Sequence, residues 1–219
     1  MMLDLSFLEK EDIQYLEKIM FNQNEQLKIF DYEFYSKIEP NHLKLIAHKY
    51  GIYSFPTVEL CAWLKHRFDL TKAIEIGSGN GALANYLNIP ATDAKISELP
   101  EIKEYYKLMK QPIVKYGNNV LKYDAISAIR KFKPETVIAQ WITHKYDPKR
   151  PFNEGSTYGV DEQWVINNVK NYVFIGNEYT HKHKFILEES HQRIKKKWLV
   201  SRSQYPHLNL IYLWSNHNV

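Results

Sequence analysis

The chain has 219 residues, 44% hydrophobic and 14% aromatic, enough apolar material for one sizeable core. Its 29 Lys and Arg against 25 Asp and Glu give a net charge of +4, compatible with an anionic partner but far from a histone-like excess. No apolar run reaches the ~20 residues of a membrane span, the N-terminus turns acidic instead of forming a secretory leader, and the single cysteine, Cys61, excludes an intrachain disulfide, so a cytoplasmic location is expected.

The first part of the chain reads as helical. Ser6 and Glu9 have capping-box spacing, and Ile13, Leu16 and Met20 recur on one helical face. Pro40 is placed to start a helix. Leu43, Ile46, Ala47 and Tyr50 follow its i, i+3, i+4, i+7 stripe, and Gly51 is suited to end it. A further helix is predicted from Pro56, with Thr57, Leu60, Cys61, Leu64 and Phe68 on one face, which makes Cys61 a core residue.

From Ala73 the pattern changes to alternating strands and helices. Residues 73–76 form a short buried strand that runs into glycines, and 82–87 a helix. A second strand at 89–92 ends at Asp93, a helix covers 101–110, and a third strand at 119–123 ends at Asp124. Ala125, Ala128, Ile129 and Phe132 share a helical face. The apolar run 136–142 reads as a central parallel strand, 161–171 as a helix and 172–175 as a fifth strand. Residues 198–201 and 208–214 read as two last strands joined by too few residues for a helix, hence as an antiparallel hairpin. The expected fold is α/β: a doubly wound, mostly parallel seven-stranded sheet with an antiparallel C-terminal hairpin. Residues 1–53 would form an N-terminal helical cap, and residues 54–219 the Rossmann-like domain.

The stretch AIEIGSGNGALANYL is the most informative in the chain. A strand, a glycine-rich bend and a helix offer backbone N–H groups and close approach to a ligand at the carboxyl end of the sheet. Gly77-x-Gly79-x-x-Ala82 fits a dinucleotide fingerprint, which would imply NAD(P) and an oxidoreductase. A tight turn without a ligand fits as well. Asp93, eighteen residues after Glu75, is placed to accept hydrogen bonds from both hydroxyls of a ribose in either cofactor.

Glu75-x-Gly77-x-Gly79-x-Gly81 also matches an E/D-x-G-x-G-x-G motif. With Asp93, with Asp124 before the small Ala125, and with the apolar strand in KPETVIAQWI, the chain from about Ser54 onward resembles the class I S-adenosylmethionine-dependent methyltransferases. The resemblance implies S-adenosyl-L-methionine as cofactor. Gly77, Ser78, Gly79 and Gly81 would hold its methionine portion, and Glu75 would orient that loop or the ammonium group. Asp93 would take the ribose, Asp124 and Ala125 would flank the adenine, and Gln140 and Trp141 would lie near the methyl group. Gln140-Trp141-Ile142-Thr143 stands where the amino-methylating members carry Asn/Asp-Pro-Pro-Tyr/Phe, which argues against adenine or glutamine N-methylation by that route.

The long segment 143–160 starts at the carboxyl end of the central strand and is a candidate substrate loop. Within it His144 is the first candidate for a catalytic base and Asp147 the second. The competing readings are a loop-fixing histidine and an Asp-Pro turn. His181, His183 and His191 lack the spacing of a metal site, and none is expected. Arg193, Lys195, Lys196, Lys197 and Arg202 read as a solvated face, although such a run can also touch phosphate. The acceptor stays open, with a small molecule or protein favoured over nucleic acid and no membrane partner. A non-catalytic binding module is a further alternative.

Overall fold

The computed structural model describes residues 13–110 and 112–216, so the Ser6–Glu9 capping box lies outside the described residues. Among the described residues three helices come first: α1 (Gln14–Met20), α2 (Tyr32–Ser36) and α3 (Pro40–Tyr50). Asp31 caps α2 by accepting from the Phe34 N–H, and the Glu39 carboxylate accepts from the N–H groups of Asn41 and His42 at the start of α3. Gly51 ends α3 at φ +64°, the left-handed turn that glycine adopts without a Cβ clash. The two-residue strand β1 (Ser54–Phe55) leads to α4 (Val58–Arg67), whose N-cap Thr57 accepts from the Leu60 N–H.

The alternating part then runs β2 (Ala73–Ile76), α5 (Ala82–Leu87), β3 (Ala91–Asp93), α6 (Pro100–Leu108), β4 (Val120–Lys122), α7 (Ala125–Phe132), β5 (Thr136–Gln140), α8 (Glu162–Asn168) and β6 (Asn171–Asn177). Three more strands follow: β7 (Gln192–Ile194), β8 (Val200–Ser201) and β9 (Asn209–Ser215). The main sheet has seven strands in the order β4-β3-β2-β5-β6-β9-β7. The first five are mutually parallel, and β9 is antiparallel to both of its neighbours. This is a mixed, doubly wound α/β sheet. The winding reverses between β2 and β5, so a crevice opens beyond the carboxyl ends of those strands.

The closing strands differ from the expected hairpin. β9 pairs with β6 from Asn171↔Ser215 to Asn177↔Asn209 on one edge, and with β7 on the other. With both edges taken, it has none for residues 198–201. Val200 and Ser201 pair instead with Phe55 and Ser54 of β1 in a separate two-stranded ladder. The predicted partner of the last strand is therefore corrected from Trp198–Ser201 to Gln192–Ile194. Asn209 secures the excursion: its side chain donates to the Leu199 carbonyl (3.0 Å) and accepts from the Ser201 hydroxyl (2.9 Å).

One sheet face packs Ile138, Val173 and Ile211 against Leu60 and Leu64 of α4 and Leu83 of α5. The other packs Ile74, Val137 and Phe174 against Ala128 of α7 and Val165 of α8. Residues of α1–α3 build a third cluster around Leu16, Met20, Ile46 and Ala47, which reaches Phe55 and the first residue of α5, Ala82. Among the described residues no helix is long and apolar enough to cross a membrane.

Candidate functional site

The glycine-rich bend joins β2 to α5, and all three glycines adopt left-handed φ: +57° at Gly77, +51° at Gly79 and +71° at Gly81. They do so for different reasons. A Cβ on Gly77 would come within 2.4 Å of the Ile142 side chain, and one on Gly81 within 2.6 Å of Val120, so those two positions are small because the protein itself crowds them. A Cβ on Gly79 would meet only Val114, at an ordinary 3.5 Å. The space over Gly79 belongs to a crevice of about 590 Å³.

The bend is bolted in place. Ser78 donates its N–H (3.0 Å) and its hydroxyl (3.1 Å) to the Thr92 carbonyl. Asn80 accepts from the Leu27 N–H (2.7 Å) and donates to the carbonyls of Glu25 and Lys115. The Asn119 amide donates to the Gly81 carbonyl (3.0 Å) and accepts from Gln26 (2.7 Å). The N-terminal segment thus holds the loop from outside. Sequence reasoning passed over Gln26, Asn80 and Asn119 because a single amide at no fixed spacing carries no motif.

Two carboxylates meet the bend from neighbouring strand ends. Asp93, at the end of β3, accepts from the Gly79 N–H at 3.0 Å and from the Lys95 N–H at 2.7 Å. Burial raises its carboxyl above the ordinary range even so. Glu75, in β2, is 1% exposed and accepts from the Ala84 N–H and from the Gln140 amide, each at 3.0 Å. Two donors do not offset its desolvation, and its carboxyl is pushed up to about 7. Gln140 spends its NH2 on Glu75, which leaves its buried carbonyl oxygen without a hydrogen-bond partner among the described residues.

Asp124 caps α7, accepting from the Ser127 N–H (3.0 Å) and hydroxyl (2.6 Å). It nevertheless lines the crevice together with Ala125 and Ile126. Trp141 follows β5 at φ +54°, an uncommon state for a bulky side chain. Its ring stands edge to face on His181 (4.9 Å) and 6.4 Å from the Tyr53 ring, and the Arg202 guanidinium lies over that Tyr53 ring, 3.6 Å from its centre. All the predicted cofactor residues border the crevice except Gly81, whose carbonyl is held by Asn119 behind the bend.

The two candidate bases are not brought there. His144 is buried, with its Nε2 2.7 Å from the Asn153 carbonyl oxygen, and burial and the Lys184 charge hold its imidazole below the ordinary range. It fixes the loop. Asp147 accepts from the Lys149 N–H (2.9 Å) in a turn. Their loop is braced instead by parallel bridges from His144 to Val160 and from Lys145 to Ser156. The segment's crevice residues are Thr143, Lys145 and 156–160, and Tyr106 of α6, Tyr116 and the α8 cap Asp161 join them.

No family model matches the chain, and no curated protein matches it. Among solved structures, the crystal structure of Thermoplasma acidophilum 1320 is similar at a TM-score of 0.37 and 14% identity, over 82% of this chain and 98% of that one.

Proposed function

We propose that the chain is an S-adenosylmethionine-dependent methyltransferase whose acceptor is a small molecule or a protein side chain. The observation that carries the reading is the convergence of Glu75, Asp93 and the open Gly79 on one crevice at the sheet's winding reversal. Fit to the cofactor is supported by acceptor groups with capacity left over. The orphaned Gln140 carbonyl and the half-compensated Glu75 carboxylate form an acceptor pair suited to an amino acid ammonium. Both Asp93 oxygens already take backbone donors, and each has a second lone-pair direction for a ribose hydroxyl.

When bound, the cofactor supplies a methyl group on a sulfonium, which leaves a neutral thioether after in-line displacement. The protein's part is then to position the acceptor and exclude water. Trp141 and Thr143 extend from the end of β5, and Tyr53, Tyr106 and Tyr158 wall the crevice. His144 and Asp147 face their own loop, so in this reading no base acts from them.

Calorimetry with S-adenosylmethionine and S-adenosylhomocysteine tests the proposal. Micromolar binding is expected. Asp93→Ala should weaken it about 10- to 100-fold, the worth of one or two charge-assisted hydrogen bonds. Absence of binding at millimolar ligand sinks the reading.

A further inference from the structure

A second cleft, of about 610 Å³, lies between the N-terminal helices and the β7–β8 connection. Its floor is apolar: Tyr32, Tyr35, Ile38, Leu43 and Leu199 line it. Its charged lining is of one sign. Lys44, Lys195, Lys196 and Lys197 border it, and among the described residues no Asp or Glu does. Lys195 lies 3.6 Å from Glu178, whereas Lys196 and Lys197 are exposed and make no ion pair with a described residue. The volume is that of a small-molecule site. Cations over a low-dielectric floor attract an anion more strongly than they would on an open, fully hydrated surface.

We propose that this cleft binds an organic anion, with its apolar or aromatic body on the Tyr32–Leu43 floor and its phosphate, sulfonate or carboxylate head at Lys196 and Lys197. A solvated face would need no concavity, and an inorganic ion would leave the floor uncovered. The site does not depend on how the crevice is used. The two are nonetheless neighbours: Ser201 lines the cleft, and Ser54, its partner in the β1–β8 ladder, lines the crevice.

The probe is anilinonaphthalene sulfonate, whose fluorescence rises on entering an apolar site, set against the uncharged phenylnaphthylamine. The full chain is titrated alongside a Lys196→Glu/Lys197→Glu double variant and a Ser36→Trp variant. Ser36 is an exposed residue at the end of α2 that lines the cleft, and an indole there would occupy part of it and obstruct a bulky ligand. The sulfonate should bind the native chain more tightly than the uncharged compound and lose about tenfold or more in affinity in each variant. An unchanged affinity in the lysine variant overturns the anion claim, and an unchanged affinity in Ser36→Trp overturns the placement in the cleft. Melting temperatures verify folding, and Ser203→Trp replaces Ser36→Trp should the latter fail that control.

Discussion

Glu75 is a buried carboxylate with two hydrogen-bond donors and, among the described residues, no cation beside it, which is a costly state to maintain. An acid whose folded pKa lies above its unfolded value binds more protons when folded between the two. Stability contributed by its neutral form is therefore present below about 4.5 and lost as pH rises toward about 7. Glu75→Gln should flatten that arm of the stability profile. At pH 8 the variant should be more stable by roughly 1–3 kcal/mol, read as a rise in melting temperature of about 2–4 °C per kcal/mol. It should also bind S-adenosylmethionine about tenfold more weakly, because an amide does not attract an ammonium as a carboxylate does. A gain in stability coupled to a loss of binding is the trade-off expected of a site residue. The stability gain follows from burial alone, so it is the loss of binding that separates a site residue from a purely structural one.

At the scale of the element, the bend between β2 and α5 separates glycines that serve packing from one that serves an open space. Gly81→Ala forces a Cβ against Val120 and Asn119 at φ +71°. It should cost roughly 2–4 kcal/mol, visible in urea unfolding. Gly79→Ala incurs the left-handed penalty alone, roughly 1–2 kcal/mol. Its folding should survive while S-adenosylhomocysteine affinity falls, because its methyl group enters the crevice. Equal losses of stability in the two variants, with ligand affinity retained in Gly79→Ala, would reduce the bend to a turn. The spacing of the glycines was legible in the sequence. Which of them the protein itself crowds was not, because Val120, Asn119 and Ile142 arrive from elsewhere in the chain.

At the scale of the whole molecule, a polar group is buried within the packing of one side of the sheet. Under α8, Glu162 and Lys184 form an ion pair with side chains at most 1% exposed, and the Tyr172 hydroxyl donates to the same carboxylate at 2.6 Å. Burial lowers the Lys184 pKa and the carboxylate opposes that shift. Lys184→Met leaves Glu162 charged and buried, so it should destabilise the protein by about 3–5 kcal/mol. Adding Glu162→Gln should recover most of that loss in denaturant titrations, since the uncompensated charge is then gone. Neither residue stood out in the sequence, because a Lys and a Glu 22 positions apart carry no period.

The sequence by itself determined the strand–helix alternation, the left-handed end at Gly51, and the glycine, Asp93 and Asp124 series at successive strand ends. These are local signals, set by hydrophobic period and by backbone freedom within a few residues. The capping roles of Thr57 and Asp124 came from the structure. Only the tertiary structure decided the partner of β9, because pairing depends on which sheet edges are already occupied. It also turned His144 and Asp147 into their own loop, gave Gln140 to Glu75, and set four lysines around an apolar cleft. Each of those outcomes depends on competition for partners among groups distant in sequence, which a reading along the chain does not contain.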